Sequence, residues 1–378
     1  METLKDRYFI LYGILLLEMI IHGPIAVNNY WALMNFLGML SLLLLSISIV
    51  VFADTPAKIK SLLLAIVAGH LLATTRFLSL GYHPFGVTGL LGDQNDFALS
   101  MNFVIPISFY LSTLTKRIRR MALLGATTIF VMGNVATTSR GGFLGMATVG
   151  LFCFLSTKHK LKSLAVLLTI GAIFFLLIPN TYKEEMMTIQ DDIAGTPGER
   201  QHSIEKKSNT GRDRLELWKV SMRAFVDHPI LGVGQGNLPR VIGSYQNLET
   251  DIWGRGIGGR SAHSMYVELI AELGVVGAAI FLMMLLNLYK KFRIVVGRIN
   301  PLMPDAPQEL ANHDSVVYMK AFMVSMAGVL VTGAFISVLY YSQLWLIFAL
   351  ITAVWAVNRK QSVASPQPVG STAAEAPA

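Results

Sequence analysis

What this sequence has little of sets its first limits. It contains one cysteine, Cys153, inside an apolar run, which excludes a disulfide framework and a cysteine-based metal site. Its histidines lack the partner spacing of zinc ligands, so no metal is expected. Neither a P-loop nor a dinucleotide fingerprint occurs, and no cofactor is expected. Charge is scarce: 14% of the 378 residues are charged, whereas soluble domains carry about 25%. A soluble globular domain is thereby excluded. Lys and Arg are absent altogether from the short stretches 28–30, 81–95 and 339–341.

Apolar residues fill the space that charge leaves. They make up 53% of the chain, and mean hydropathy is +0.54. About 20 consecutive apolar residues cross a bilayer as a helix, and a helix satisfies its backbone polar groups internally, as lipid demands. The runs predict an all-α polytopic membrane protein with about ten spans, near 8–27, 31–53, 61–80, 96–115, 121–138, 141–157, 163–180, 263–289, 316–338 and 342–357. No small-residue cleavage site follows the first run, so no cleavable signal peptide is expected. The division expected is an N-terminal bundle of about seven spans (1–180), one large loop (181–262), three C-terminal spans (263–360) and a disordered tail (361–378).

Net charge is +8, and its distribution orients the chain. Basic residues gather at Lys5/Arg7, Lys58/Lys60, "KRIRR" (116–120), "KHKLK" (158–162), "KKFRIVVGR" (290–298) and Arg359/Lys360. Basic loops stay cytoplasmic, so both termini are expected there. These clusters are topology signals, and nucleic acid is not an expected partner. The opposite face then holds "GYHPFGVTGLLGDQND" (81–96), the turn "TTSRGG" (137–142) and the long loop. In that loop, 183–211 lacks periodicity and is expected to be mobile. Residues 212–227 predict an amphipathic helix with Leu215, Trp218, Met222 and Phe225 on one face, started by a Thr210–Asp213 capping box. Pro229 ends it, and "GVGQGN" (232–237) predicts a flexible turn.

The chemistry-bearing residues lie on that face. Arg140 in "SRGG" stands against the positive-inside trend, and ionisable groups at membrane depth are costly; its two following glycines would let a ligand approach the backbone. Arg214 opens the loop helix. His263 stands at the head of the eighth span, with Ser261 as the expected cap, and an imidazole is the natural base near neutral pH. Glu268 and Glu272 are four apart on one helical face, placed either to orient His263 or an arginine or to hold neighbouring helices. Asp93, Asn95 and Asp96 read as N-caps, and Arg76 is a further possible contributor to an anion site. Arginine forks grip phosphate oxygens. Two arginines and a histidine at the interface therefore point to a group transfer from a lipid-linked pyrophosphate.

The ordered set "GDQNDFALSMNFVIP", "TTSRGGFLGM", "RDRLELWKVSMRAFVDHPILGVGQGN" and "AHSMYVELIAELGVVG" resembles the O-antigen ligase and polymerase family, over about Gly92 to Gly277. That family includes the lipid A core ligase, O-antigen polymerases and protein O-oligosaccharyltransferases. The resemblance implies a C-type glycosyltransferase-like fold in the bacterial inner membrane with a periplasmic active face. It implies a metal-independent glycosyltransferase that takes a polyprenyl-pyrophosphate-linked (undecaprenyl) glycan donor from among the membrane lipids. The acceptor would be a glycolipid, a glycan or a protein. Arg140 and Arg214 would bind the pyrophosphate and His263 would activate the acceptor. Many members have about twelve spans, and His-Asn where this chain has His263-Ser264. The alternatives are a repeat-unit polymerase of the same family and, from another class, a polysaccharide flippase.

Overall fold

The computed structural model describes residues 2–80, 93–157, 160–161, 210–247, 256–297 and 313–364. The expected seventh span, most of the loop up to 209, residues 81–92 and most of the tail lie outside this set. The described residues form helices and no strand: α1 (Arg7–His22), α2 (Asn29–Phe52), α3 (Pro56–Leu80), α4 (Gln94–Thr113), α5 (Arg117–Ala136), α6 (Arg140–Ser156), α7 (Thr210–Asp227), the single turn α8 (Leu238–Val241), α9 (Met265–Gly297), α10 (His313–Gly333) and α11 (Ser342–Ala364). Side chains start several of them. Asp6 accepts the Tyr8 N–H at 2.8 Å and Asn28 accepts that of Trp31 at 3.2 Å, each removing an orphan donor at a helix start.

Among the described residues six helices, α1 to α3 and α9 to α11, are long and apolar enough to cross a membrane. Their outward faces carry exposed Ile14, Leu17, Leu33, Leu37 and Leu286, a surface suited to lipid rather than water. α4 differs in kind. It is buried on nearly every side from Asp96 to Ser112 and packs on α5, α6 and α10. Its polar residues therefore meet protein. Asn102 donates to the Gly142 carbonyl and to Thr332 Oγ1, both at 2.8 Å, and accepts from Asn134 Nδ2 at 2.9 Å. Hydrogen bonds of this kind hold helices together where burial from water gives no drive. The same core extends to α1, α9 and α11, where Tyr12, Phe281, Trp345 and Phe348 pack on one another.

Helix ends depart from expectation in two places. The basic run is not a loop from 290 to 297: α9 continues to Gly297, and Lys291 is buried, 2.6 Å from Asp6 and 3.1 Å from Thr352 Oγ1. α11 runs on to Ala364, into the stretch expected to be disordered.

α9 is broken at Gly274, where φ is 60° and ψ is −161°. The chain at 229–234 takes over the hydrogen bonds the helix loses there. Val233 and Gly234 N–H donate to the Ala271 and Glu272 carbonyls at 2.9 and 3.0 Å, while Val275 and Val276 N–H donate to Pro229 and Ile230 carbonyls at 2.9 and 3.2 Å. "GVGQGN" is thus a fixed element and not a flexible turn. Gly232, Gly234 and Gly236 all have positive φ, and a Cβ at Gly232 would overlap the Glu272 carbonyl. Gly274→Ala would add a strained φ and a clash with the Ile230 carbonyl. It is expected to destabilise the protein by at least ~1–3 kcal/mol, read as a lower melting temperature in detergent.

Candidate functional site

On the side away from the basic turn at 116–120, α4 packs on α6 and α7 packs on α9. Capping chemistry builds the first half. Asp93 accepts the Asn95 N–H at 3.0 Å and so caps α4. Asn95 Oδ1 accepts from Ser139 Oγ at 2.7 Å, and Ser139 Oγ accepts the Gly142 N–H at 3.1 Å, capping α6. Arg140 is consequently the first residue of α6. A helix N-terminus carries partial positive charge, so a guanidinium there is favoured by a nearby anion. The glycines after it serve packing rather than ligand access. A Cβ at Gly142 would overlap the Ala98 methyl, and one at Gly141 would come within 2.8 Å of Phe335 Cβ.

α7 brings the second half. It exists as expected, but starts at Thr210. The capping box with Asp213 falls on side chains outside the described set. Its buried face is Leu217, Val220 and Ala224, whereas Leu215 is 62% exposed. The reason is tertiary: the face meets Ile257, Ile242 and Val233 of the same loop. Trp218 Nε1–H donates to the Ala262 carbonyl at 2.8 Å. This ties α7 to the residue before His263, and places Arg214, one turn earlier, on the same side.

His263 adopts φ of 50°, a left-handed conformation uncommon outside glycine and found at functional sites. α9 starts at Met265, and the Ser264 carbonyl accepts the Glu268 N–H at 2.9 Å. The residue opening the helix is therefore Ser264, not Ser261. Serine and asparagine are both favoured at that position.

Electrostatics show which groups face one another. Burial lowers the His263 pKa below its ordinary 6.5; the positive charge of Arg214 adds to this, the Asp93 carboxylate opposes it, and Arg260 adds further. Arg214 is disfavoured as a cation by burial and then by Arg140, and favoured by Asp93. Arg214 is thus the shared member: its charge is felt by His263, it feels that of Arg140, and Asp93 acts on both Arg214 and His263. Arginine does not give up its proton in proteins, so two like charges are held together in half-buried surroundings. Such a site gains when an anion enters.

The remaining sequence candidates stand apart. Glu272 is fully buried and accepts from Gly236 N–H at 2.6 Å, Leu238 N–H at 3.0 Å and Tyr340 O–H at 2.7 Å. Glu268 accepts the Leu339 N–H at 3.3 Å. These bonds tie α9 to the 232–238 segment and to the α10–α11 connection; none of the described ones goes to His263 or an arginine. Both Glu precede the break at Gly274. Residues 275–297 alone, at 1.5 Å per residue, extend about 34 Å, enough to cross a bilayer. Arg76 is exposed near the end of α3, with no described contact to the cluster.

Sequence reasoning gave no site role to three residues that the structure links to His263 or the residue before it. Asp93 carried a signal, but capping accounted for it. Trp218 read only as an apolar face. Arg260 lay in a Gly/Arg-rich stretch with no periodicity to place it.

Residues 124–282 match a family model described as O-antigen ligase, which supports membership of the O-antigen ligase and polymerase family. The matched stretch runs from α5 to the first half of α9 and holds Arg140, Arg214 and His263. No curated protein matches the chain.

Proposed function

We propose that this O-antigen ligase-type membrane protein transfers a saccharide from a polyprenyl-pyrophosphate carrier to an acceptor hydroxyl. The observation that supports the reading is that Arg214 lies in the field of Arg140 and His263 in that of Arg214. The site lies at the helix ends opposite Lys116–Arg120. By the positive-inside rule that is the periplasmic side of an inner-membrane protein. The count of ten spans, the C-type architecture and cytoplasmic termini belong to the same proposal.

The acceptor oxygen attacks the anomeric carbon of the donor. The new C–O bond forms as the bond from that carbon to the pyrophosphate oxygen breaks, and the electron pair leaves with the pyrophosphate. Arg140 and Arg214 take up that developing charge, the kind of preorganised stabilisation that dominates many reactions. A ring nitrogen of His263 takes the hydroxyl proton. His263 is suited to this because its lowered pKa keeps the imidazole neutral near pH 7. Charge neutralisation is assigned to arginine rather than to a divalent ion, so transfer is expected to persist in chelator.

The test uses purified protein in liposomes with a polyprenyl-pyrophosphate glycan and a panel of acceptors: lipid A core, lipid-linked glycan and protein. A new glycosidic product with release of polyprenyl pyrophosphate is expected. Lengthened lipid-linked glycan as the product would assign the polymerase reaction. Unchanged glycan moved across the bilayer would sink the proposal in favour of a flippase. In the same assay, Trp218→Phe removes the bond to the Ala262 carbonyl. One hydrogen bond is worth about 1–1.5 kcal/mol, so kcat is expected to fall about five- to tenfold with KM for donor unchanged.

A further inference from the structure

On the opposite side from the site, the turn between α4 and α5 meets the first turns of α3. An open groove of about 510 Å³ lies there, lined by Lys60, Lys116, Arg117 and Arg119 with Leu114 and Ile118. Among the described residues, these four cations make no ion pair and no side-chain hydrogen bond. Two other basic groups on this side are paired: Lys58 lies 2.7 Å from Asp54 and Lys291 2.6 Å from Asp6.

A topology signal requires only that cations be on one side. It does not require four of them, from two helices and a turn, to line one groove without a carboxylate. α5 adds to the effect. Lys116, at its cap position, supplies no side-chain cap, and the first turn contains no acidic residue. Its free N–H groups and positive dipole end thus point the same way as the cations. Arg117 enters the helix with φ of 44°. The groove is continuous with apolar surface: Ile118 is 82% exposed and Met121 73%, and Leu124 continues that side of α5. Phosphate oxygens suit the cations, and hydrocarbon suits the adjoining face.

We infer that this groove binds the phosphodiester headgroup of an anionic bilayer lipid, whose acyl chains lie along Ile118, Met121 and Leu124. Basic pockets between membrane helices recognise such headgroups through the same chemistry. A free phosphate would satisfy the cations but leave the apolar face unused.

The experiment uses the full chain purified in mild detergent and titrated with phosphatidylglycerol or phosphatidylcholine, with bound lipid read by native mass spectrometry. A third arm reads the melting temperature with inorganic phosphate. Wild type is compared with Lys60→Gln/Arg119→Gln and with Lys5→Gln/Arg7→Gln, which removes equal charge elsewhere. Wild type is expected to retain phosphatidylglycerol at least tenfold better than phosphatidylcholine. The groove variant is expected to lose that preference while the control keeps it, with phosphate leaving the melting temperature unshifted. Equal retention by the groove variant, or equal loss in the control, would overturn the site. Stabilisation by phosphate as strong as by the lipid would overturn the lipid assignment. If the double variant does not fold, Lys60→Gln and Arg119→Gln are read singly, each expected to lose part of the preference.

Discussion

His263→Ala is expected to reduce glycan transfer by about 10²–10⁴-fold, the usual contribution of a positioned general base. Donor KM should change little, because the arginines that bind pyrophosphate remain. The variant should insert and melt like wild type, since His263 precedes α9 rather than packing within it. The pH profile gives a sharper check. Neutral imidazole is the active form, so the acid limb of kcat/KM follows the His263 pKa, which burial and Arg214 hold below 6.5. Removing a positive neighbour raises that pKa, so Arg214→Gln should move the acid limb of its residual activity to higher pH. Removing a negative neighbour lowers it, so Asp93→Asn should move the limb to lower pH. Opposite shifts, or none, would separate His263 from the proton transfer.

The arginines carry the second large effect. Arg140→Ala and Arg214→Ala should each cut kcat/KM by about 10²–10³-fold, the scale of losing one preorganised donor to developing charge. Lysine should restore only part, because it offers a point charge where the guanidinium offers a planar fork. The two losses should not add when combined, since both groups act on one pyrophosphate and on each other. Full activity in either alanine variant would remove that residue from the site. A melting temperature near wild type is expected for Arg214→Ala. That substitution removes a charge disfavoured by burial and by Arg140, and leaves the Trp218 bond to Ala262 in place.

The helices were legible in the sequence for physical reasons, and so were the three residues on which the proposed site rests. Lipid forces backbone polar groups into helices, so long apolar runs declare themselves. Nine of the ten expected spans coincide with described helices, of which six are long and apolar enough to cross a membrane, and the tenth falls outside the described residues. Arg140 and His263 stood out because a charge or an imidazole at the mouth of an apolar helix needs a reason to be there. Periodicity was a poorer guide in the loop. It found α7 but turned it the wrong way, because the buried face of a loop helix depends on what the loop folds onto.

Composition and hydropathy alone thus determined a helical protein with several membrane-length spans, and charge asymmetry is what assigns Arg140, Arg214 and His263 to one face in the proposed topology. Tertiary structure decided how those residues are held, since contacts between segments distant in the chain leave no periodic trace. Asp93 faces Arg214 and His263 because Asn95 and Ser139 join two helix caps. Glu272 clamps Gly236, Leu238 and Tyr340 because Gly274 breaks α9 and admits the 229–234 segment into its hydrogen-bond ladder.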